Sequence, residues 1–251
     1  MARVETGGML TAAFFGGLAA SALLVGALLA YAFHPSPRIT AAVMALGSGL
    51  LIGSVAYDLV ADAELSLSVP AIAVSLLAGA GVFVLGSRVI ERRGGDRRKD
   101  PTGTAARADN PLGIVLGSVL DGIPESFVLG LSVLNGGISV PLLIGIAMSN
   151  LPEGMAASSG LRARGWPAMR TMRIWVIVIL TSAVSAALGH RLLASDDGTI
   201  TGVVQTFAAG ALLAMVADTM VPEAYEVART WTGGLVVAGF ALSLLIAALL
   251  V

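Results

Sequence analysis

Apolar residues occupy eight long runs of the chain, near 9–33, 39–61, 69–90, 111–134, 138–161, 172–194, 200–222 and 232–251, separated by polar breaks. Crossing a bilayer takes about 20 mostly apolar residues, and each run approaches or exceeds that length. Backbone groups in hydrocarbon must be satisfied internally, so such runs predict helices. The expected fold is an all-α membrane protein: eight transmembrane helices forming one domain, 1–251. The first run is too long for the roughly 7–15-residue core of a secretion signal. It reads as a retained span.

Composition agrees with the pattern. The 251 residues are 56% hydrophobic and 12% charged, against about 25% charged in a soluble domain. Little material is left for a domain outside the membrane. Thirty-one glycines suit helices packed closely through small side chains. With no cysteine, disulfides, thiolate metal ligands and thiol nucleophiles are excluded.

The basic residues set an orientation. With the N-terminus outside, the inner ends and loops hold Arg38; Arg88, Arg92, Arg93, Arg97, Arg98, Lys99 and Arg107; Arg162, Arg164, Arg170 and Arg173; and Arg229. Thirteen of fifteen basic residues then lie on one side, leaving Arg3 and Arg191 outside. An even number of spans places both termini outside. The one long loop, about 91–110, is rich in Arg, Asp and Gly and reads as a cytoplasmic linker, with anionic lipid as the other reading. Asn110-Pro111 reads as the cap and first position of the next helix.

Two distant segments align without gaps, Gly49–Ala63 in the second span and Gly210–Ala224 in the seventh. Gly49/Gly210, Leu51/Leu212, Val55/Val216, Ala56/Ala217, Val60/Val221 and Ala63/Ala224 are identical, and Asp62 matches Glu223. The two spans run in opposite senses, which is the organisation of an inverted repeat. Acidic residues then gather at opposite mouths, with Asp58, Asp62 and Glu64 outside and Asp218, Glu223 and Glu226 inside. They read either as solvated helix ends or as cation-collecting vestibules.

The fourth and fifth spans contain the chemistry. Leu120-Asp-Gly-Ile-Pro-Glu-Ser126 and Met148-Ser-Asn-Leu-Pro-Glu-Gly154 match at a spacing of 28 residues. Asp121 and Glu125 share a helix face, as do Ser149, Asn150 and Glu153. All lie deep in their spans, where an ionisable side chain costs at least about 2.5–3.5 kcal/mol. No Lys or Arg lies at that depth to offset three carboxylates, so a bound cation or a proton must. Each proline also releases the carbonyl four residues earlier, Leu120 and Met148, as a further oxygen donor.

These hexads, with their place in the chain, resemble the fourth and fifth helices of the ZIP (Zrt-, Irt-like) family of divalent metal transporters. The resemblance covers the eight spans, the loop after the third, the Asp-bearing second span and the Asp/Pro-Glu seventh. It implies metal ligands at Glu125 and Glu153, with Asp121, Ser149 and Asn150 at ligand positions. It also implies zinc as substrate, uptake into the cytoplasm by alternating access, a helix bundle moving past a dimeric scaffold, and hence a homodimer. The chain departs from the family pattern in its ligands. Asp121 stands where histidine is usual, Ser149 where histidine or glutamine is, and Gly122 where asparagine is. The sixth span carries no carboxylate. An all-oxygen set suits Mn²⁺, Mg²⁺ or Ca²⁺ better than Zn²⁺, which weakens the family's zinc and keeps Mn²⁺ or Fe²⁺ beside it.

The remaining residues add little chemistry. His34 and His190 read as interfacial, Met44, Met148, Met155 and Met215 as packing, and Trp166, Trp175 and Trp231 as belt anchors. No His-Glu-x-x-His or Gly-x-Ser-x-Gly motif is present, so an enzyme is not expected. Neither a prosthetic group nor a nucleic-acid partner is expected. The expected setting is the cytoplasmic membrane of a bacterium, in contact with lipid. The alternative function is a membrane sensor or scaffold descended from a metal transporter and no longer transporting.

Overall fold

The structure, a computed structural model, describes residues 2–33, 36–92, 111–134, 137–193 and 198–250. Eight helices among them are long and apolar enough to cross a membrane. They are α1 (Ala2–Ala32), α2 (Pro37–Ala63), α3 (Val69–Glu91), α4 (Pro111–Leu134), α5 (Val140–Ala163), α6 (Ala168–Leu193), α7 (Thr199–Ala228) and α8 (Trp231–Leu250). The described residues contain no strand. The chain is a multi-pass membrane protein, and the eight predicted runs each correspond to one of these helices. Residues 93–110 of the expected loop, the Asn110 cap and His34 lie outside the described residues.

Local chemistry sets the helix starts. Ser36 accepts a hydrogen bond from the Ile39 amide at the start of α2, with Pro37 in the first turn. Ser139 accepts one from the Leu142 amide at the start of α5, ahead of Pro141. Both are N-caps followed by a proline whose missing N–H would have had no helical partner. α7 runs six residues past the predicted 222 because Pro222 does not end it. A π-helical segment, Val216–Met220, precedes that proline and absorbs the change of register. The other π-helical segment, Val55–Val60, lies in α2. The two begin at Val55 and Val216, positions already matched in the sequence repeat.

Helices α1, α4, α5 and α6 pack as one group, and α2, α3, α7 and α8 as another. Reciprocal glycine contacts hold each group. A Cβ on Gly26 of α1 would strike the Leu151 carbonyl of α5, and one on Gly154 of α5 would strike the Leu23 carbonyl of α1. Gly189 of α6 and Gly130 of α4 meet the carbonyls of Phe127 and Ala186 in the same way. In the second group Gly49 and Gly239 meet those of Val236 and Leu46, while Gly79 and Gly210 meet those of Phe207 and Leu76. In every pair, each glycine faces the carbonyl three residues before its partner. Backbones this close permit Cα–H to oxygen contacts, for which only glycine leaves room.

The four clasps form two matched sets. Leu46 and Gly49 stand to Phe207 and Gly210 in the register of the sequence repeat. Leu76 and Gly79 correspond to Val236 and Gly239, Leu23 and Gly26 to Ala186 and Gly189, and Phe127 and Gly130 to Leu151 and Gly154. The repeat thus extends from two segments to all eight helices. Five crossings separate α2 from α7, so its copies run in opposite senses.

The two groups meet where α2 faces α5. A Cβ on Gly47 would lie 2.9 Å from the Met148 carbonyl, and one on Gly145 would lie 3.4 Å from the Leu51 side chain. Trp175 departs from expectation. It is fully buried in α6, with its indole N–H donating to Ser158 Oγ of α5 at 2.8 Å, and so it is a core residue rather than a belt anchor. Trp231 is 77% exposed at the start of α8, as a belt residue should be.

Candidate functional site

α4 and α5 bring their polar hexads into the interior of the first group. Asp121, Glu125, Ser149, Asn150 and Glu153 are each no more than 3% exposed. Helical spacing places Asp121 and Glu125 one turn apart on α4, and Ser149 and Glu153 one turn apart on α5. The two helices are joined here by a hydrogen bond from Ser149 Oγ to Glu125 Oε1 at 3.4 Å. The same hydroxyl lies 2.9 Å from the Ile146 carbonyl, and its proton can serve either acceptor. Asn150 turns the other way, its amide nitrogen donating to the Ala19 carbonyl of α1 at 3.3 Å.

Among the described residues no three Asp, Glu or His side chains converge as a metal-binding group. Gly47 of α2 packs against the Met148 carbonyl released by Pro152. A glycine opposite a surplus carbonyl gives it a Cα–H partner and shields it from lipid.

The predicted mouth residues separate into two situations. Asp58 sits in the π-helical segment of α2 and accepts a 2.6 Å hydrogen bond from Ser139 Oγ, the cap of α5. The positive end of the α5 dipole therefore faces this carboxylate. Asp58 and Asp62 line a cavity of about 250 Å³ together with Tyr57, Ser132, Ser139 and Gln205. At the other end, Asp218 stands exposed in the π-helical segment of α7, and Glu223 is half-buried a little beyond it.

Gln205 is a residue that sequence reasoning passed over. It is 3% exposed, and its amide nitrogen donates to the carbonyls of Asp58 and Leu59 at 3.3 and 3.2 Å. Those carbonyls lie inside the π-helical segment, so α7 pins the strand of backbone that presents Asp58. The available signal was that Gln205 is the chain's single glutamine, set in an apolar span. His190, in the last turn of α6, is 7% exposed, with its imidazole packed on Gly8 of α1. At the end of α1, Tyr31 donates to the Trp166 carbonyl at 2.8 Å and Arg162 to the Ala30 carbonyl at 3.1 Å, tying the α5–α6 corner to that helix.

The chain is similar to a zinc-transporter-like protein of plants. That protein, from Arabidopsis thaliana and named a "putative zinc transporter", is 27% identical over 220 residues, which are 86% of this chain. The match spans 35% of the plant protein, so this chain corresponds to about a third of that relative's length. No family model matches the chain.

Proposed function

We propose that this protein carries a divalent metal cation across the membrane by alternating access, and that it is a divergent relative of the ZIP transporters. The observation that carries the reading is the burial of Asp121, Glu125 and Glu153 in neighbouring helices, at 1, 1 and 2% exposure. In a bilayer interior such charges persist only with a neutralising partner, and the sequence places no Lys or Arg deep within any of the eight runs. Glu125 and Glu153 are the core ligands in this reading, with Asp121, Ser149 and Asn150 completing an oxygen-rich set on closure. Similarity to a named zinc transporter supports zinc. The donor chemistry keeps Mn²⁺ and Fe²⁺ beside it.

The finer elements belong to the same proposal. The whole of 1–251 acts as one transmembrane domain, and both termini face outward, as the distribution of arginine favours. The cavity at Asp58 and Asp62 receives the cation from outside, while Asp218 and Glu223 face its release inward. The α1/α4/α5/α6 group moves against α2/α3/α7/α8, and the latter pairs with a second copy in a homodimer. The setting is the cytoplasmic membrane of a bacterium.

The test is uptake of Zn²⁺, Mn²⁺ and Fe²⁺ into proteoliposomes, each in competition with the others. Glu125→Ala and Glu153→Ala should abolish uptake while the protein still folds. Normal uptake by both variants would remove the site assignment. The lack of a converged ligand group favours a second reading, a membrane sensor or scaffold that no longer transports. Stoichiometric metal binding without uptake would select it.

A further inference from the structure

The inverted repeat builds one cavity twice, once at each end of the α2/α7 pair. The first, about 300 Å³, lies between the start of α7 and the corner after α2, and is lined by Asp62, Ser66, Thr201 and Gln205. The second, about 540 Å³, lies between the start of α2 and the corner after α7, and is lined by Arg38, Ala42, Val227, Arg229, Trp231 and Leu235. In the register of the clasps Val227 corresponds to Ser66, and Arg38 to Thr199 beside Thr201. The fold therefore makes the hollow at both ends, and the sequence gives the two copies opposite character. Among the described residues, the only charged lining residue of the first is an aspartate, and the only ones of the second are two arginines.

The geometry points to the second cavity as a binding site for the phosphate headgroup of an anionic phospholipid. Arg38 and Arg229 come from separate elements yet line one hollow, and neither guanidinium pairs with a carboxylate among the described residues. Guanidinium groups present several donors in a plane matched to phosphate oxygens. The rest of the wall is apolar, from Ala42, Val227 and Leu235, and Trp231 stands 77% exposed at the rim. A free phosphate gains nothing from such a wall, whereas a glycerol backbone and the first acyl carbons do. Both arginines also belong to the basic-rich side, where anionic lipid is drawn to paired Lys and Arg.

The test is native mass spectrometry of the full delipidated chain, titrated with phosphatidylglycerol, with phosphatidylcholine and with inorganic phosphate. One phosphatidylglycerol should bind at least about tenfold more tightly than phosphatidylcholine. Arg38→Gln with Arg229→Gln should erase that preference, Arg38→Lys with Arg229→Lys should keep part of it, and Arg88→Gln should leave it unchanged. Melting curves of each variant separate lost binding from lost folding. Equal binding of the two lipids, or an unchanged preference in the folded double glutamine variant, overturns the site. Displacement of phosphatidylglycerol by millimolar phosphate assigns it to the free anion and overturns the lipid. The site stands whether or not the chain moves metal.

Discussion

Replacing Gly47 by alanine tests the contact between the two helix groups where it touches the polar hexad of α5. The added Cβ would lie 2.9 Å from the Met148 carbonyl oxygen, 3.0 Å from its carbon and 3.1 Å from the Ser149 nitrogen. All three are backbone atoms, so no side-chain rotation relieves the overlap. An unforced carbon–oxygen contact is about 3.3–3.6 Å, so α2 must withdraw by about 0.5 Å or bend. Overpacking of this kind costs about 1–3 kcal/mol. Alanine also gains up to about 1 kcal/mol of helix propensity over glycine, and a control must cancel that gain. Gly81 in α3 is the control, since its added Cβ meets nothing within 4 Å. Unfolding in SDS mixed micelles, followed by tryptophan fluorescence, should place Gly47→Ala about 1–3 kcal/mol below Gly81→Ala. Equal stabilities would refute the packing of α2 on the Met148 carbonyl and reopen that oxygen as a ligand.

Two further outcomes follow from single hydrogen bonds. Trp175→Phe keeps an aromatic ring in the core but leaves Ser158 Oγ without its 2.8 Å donor, which should cost about 1–3 kcal/mol. Ser158→Ala made in the Trp175→Phe background should then cost less than it does alone, a coupling read by the double-mutant cycle. Gln205→Leu removes the donor to the carbonyls of Asp58 and Leu59. Amide hydrogen exchange should rise within Val55–Val60 and remain unchanged in Val216–Met220; equal change in both segments would contradict the role given to Gln205.

Eight spans were legible because the bilayer imposes one requirement on every segment, length and apolarity, and both are properties of single residues. Trp175 was misread for a related reason. Its distance in sequence from an arginine-rich corner suggested an interfacial belt, but its burial depends on Ser158 of α5 accepting from the indole, a partner that hydropathy does not reveal. Gln205 was missed because its role is to hold backbone carbonyls exposed by a π-helical segment, and neither the carbonyls nor the π-turn has a residue signature. The repeat was visible only across Gly49–Ala63 and Gly210–Ala224. Each clasp takes from each of its two helices one glycine and an anonymous carbonyl three residues earlier, so every helix contributes a single informative letter to the pairing.

The clasps also set the register in which the two alike hexads face each other. In sequence, Glu125 matches Glu153, because Pro-Glu aligns with Pro-Glu. In the structure the symmetry relating α4 to α5 takes Phe127 to Leu151 and Gly130 to Gly154, and the same register takes Glu125 to Ser149. The two registers differ by four residues, about one helical turn. Residues beside a twofold axis meet their own counterparts, and Ser149 Oγ does donate to Glu125 Oε1. Glu153 lies one turn further along α5, off that axis, and its symmetry counterpart on α4 is the apolar Leu129, buried at 0% exposure. The turn of slippage therefore sets a glutamate opposite a hydroxyl and spares it a second glutamate at the axis. Two like charges facing each other there would repel strongly in a medium of low dielectric constant.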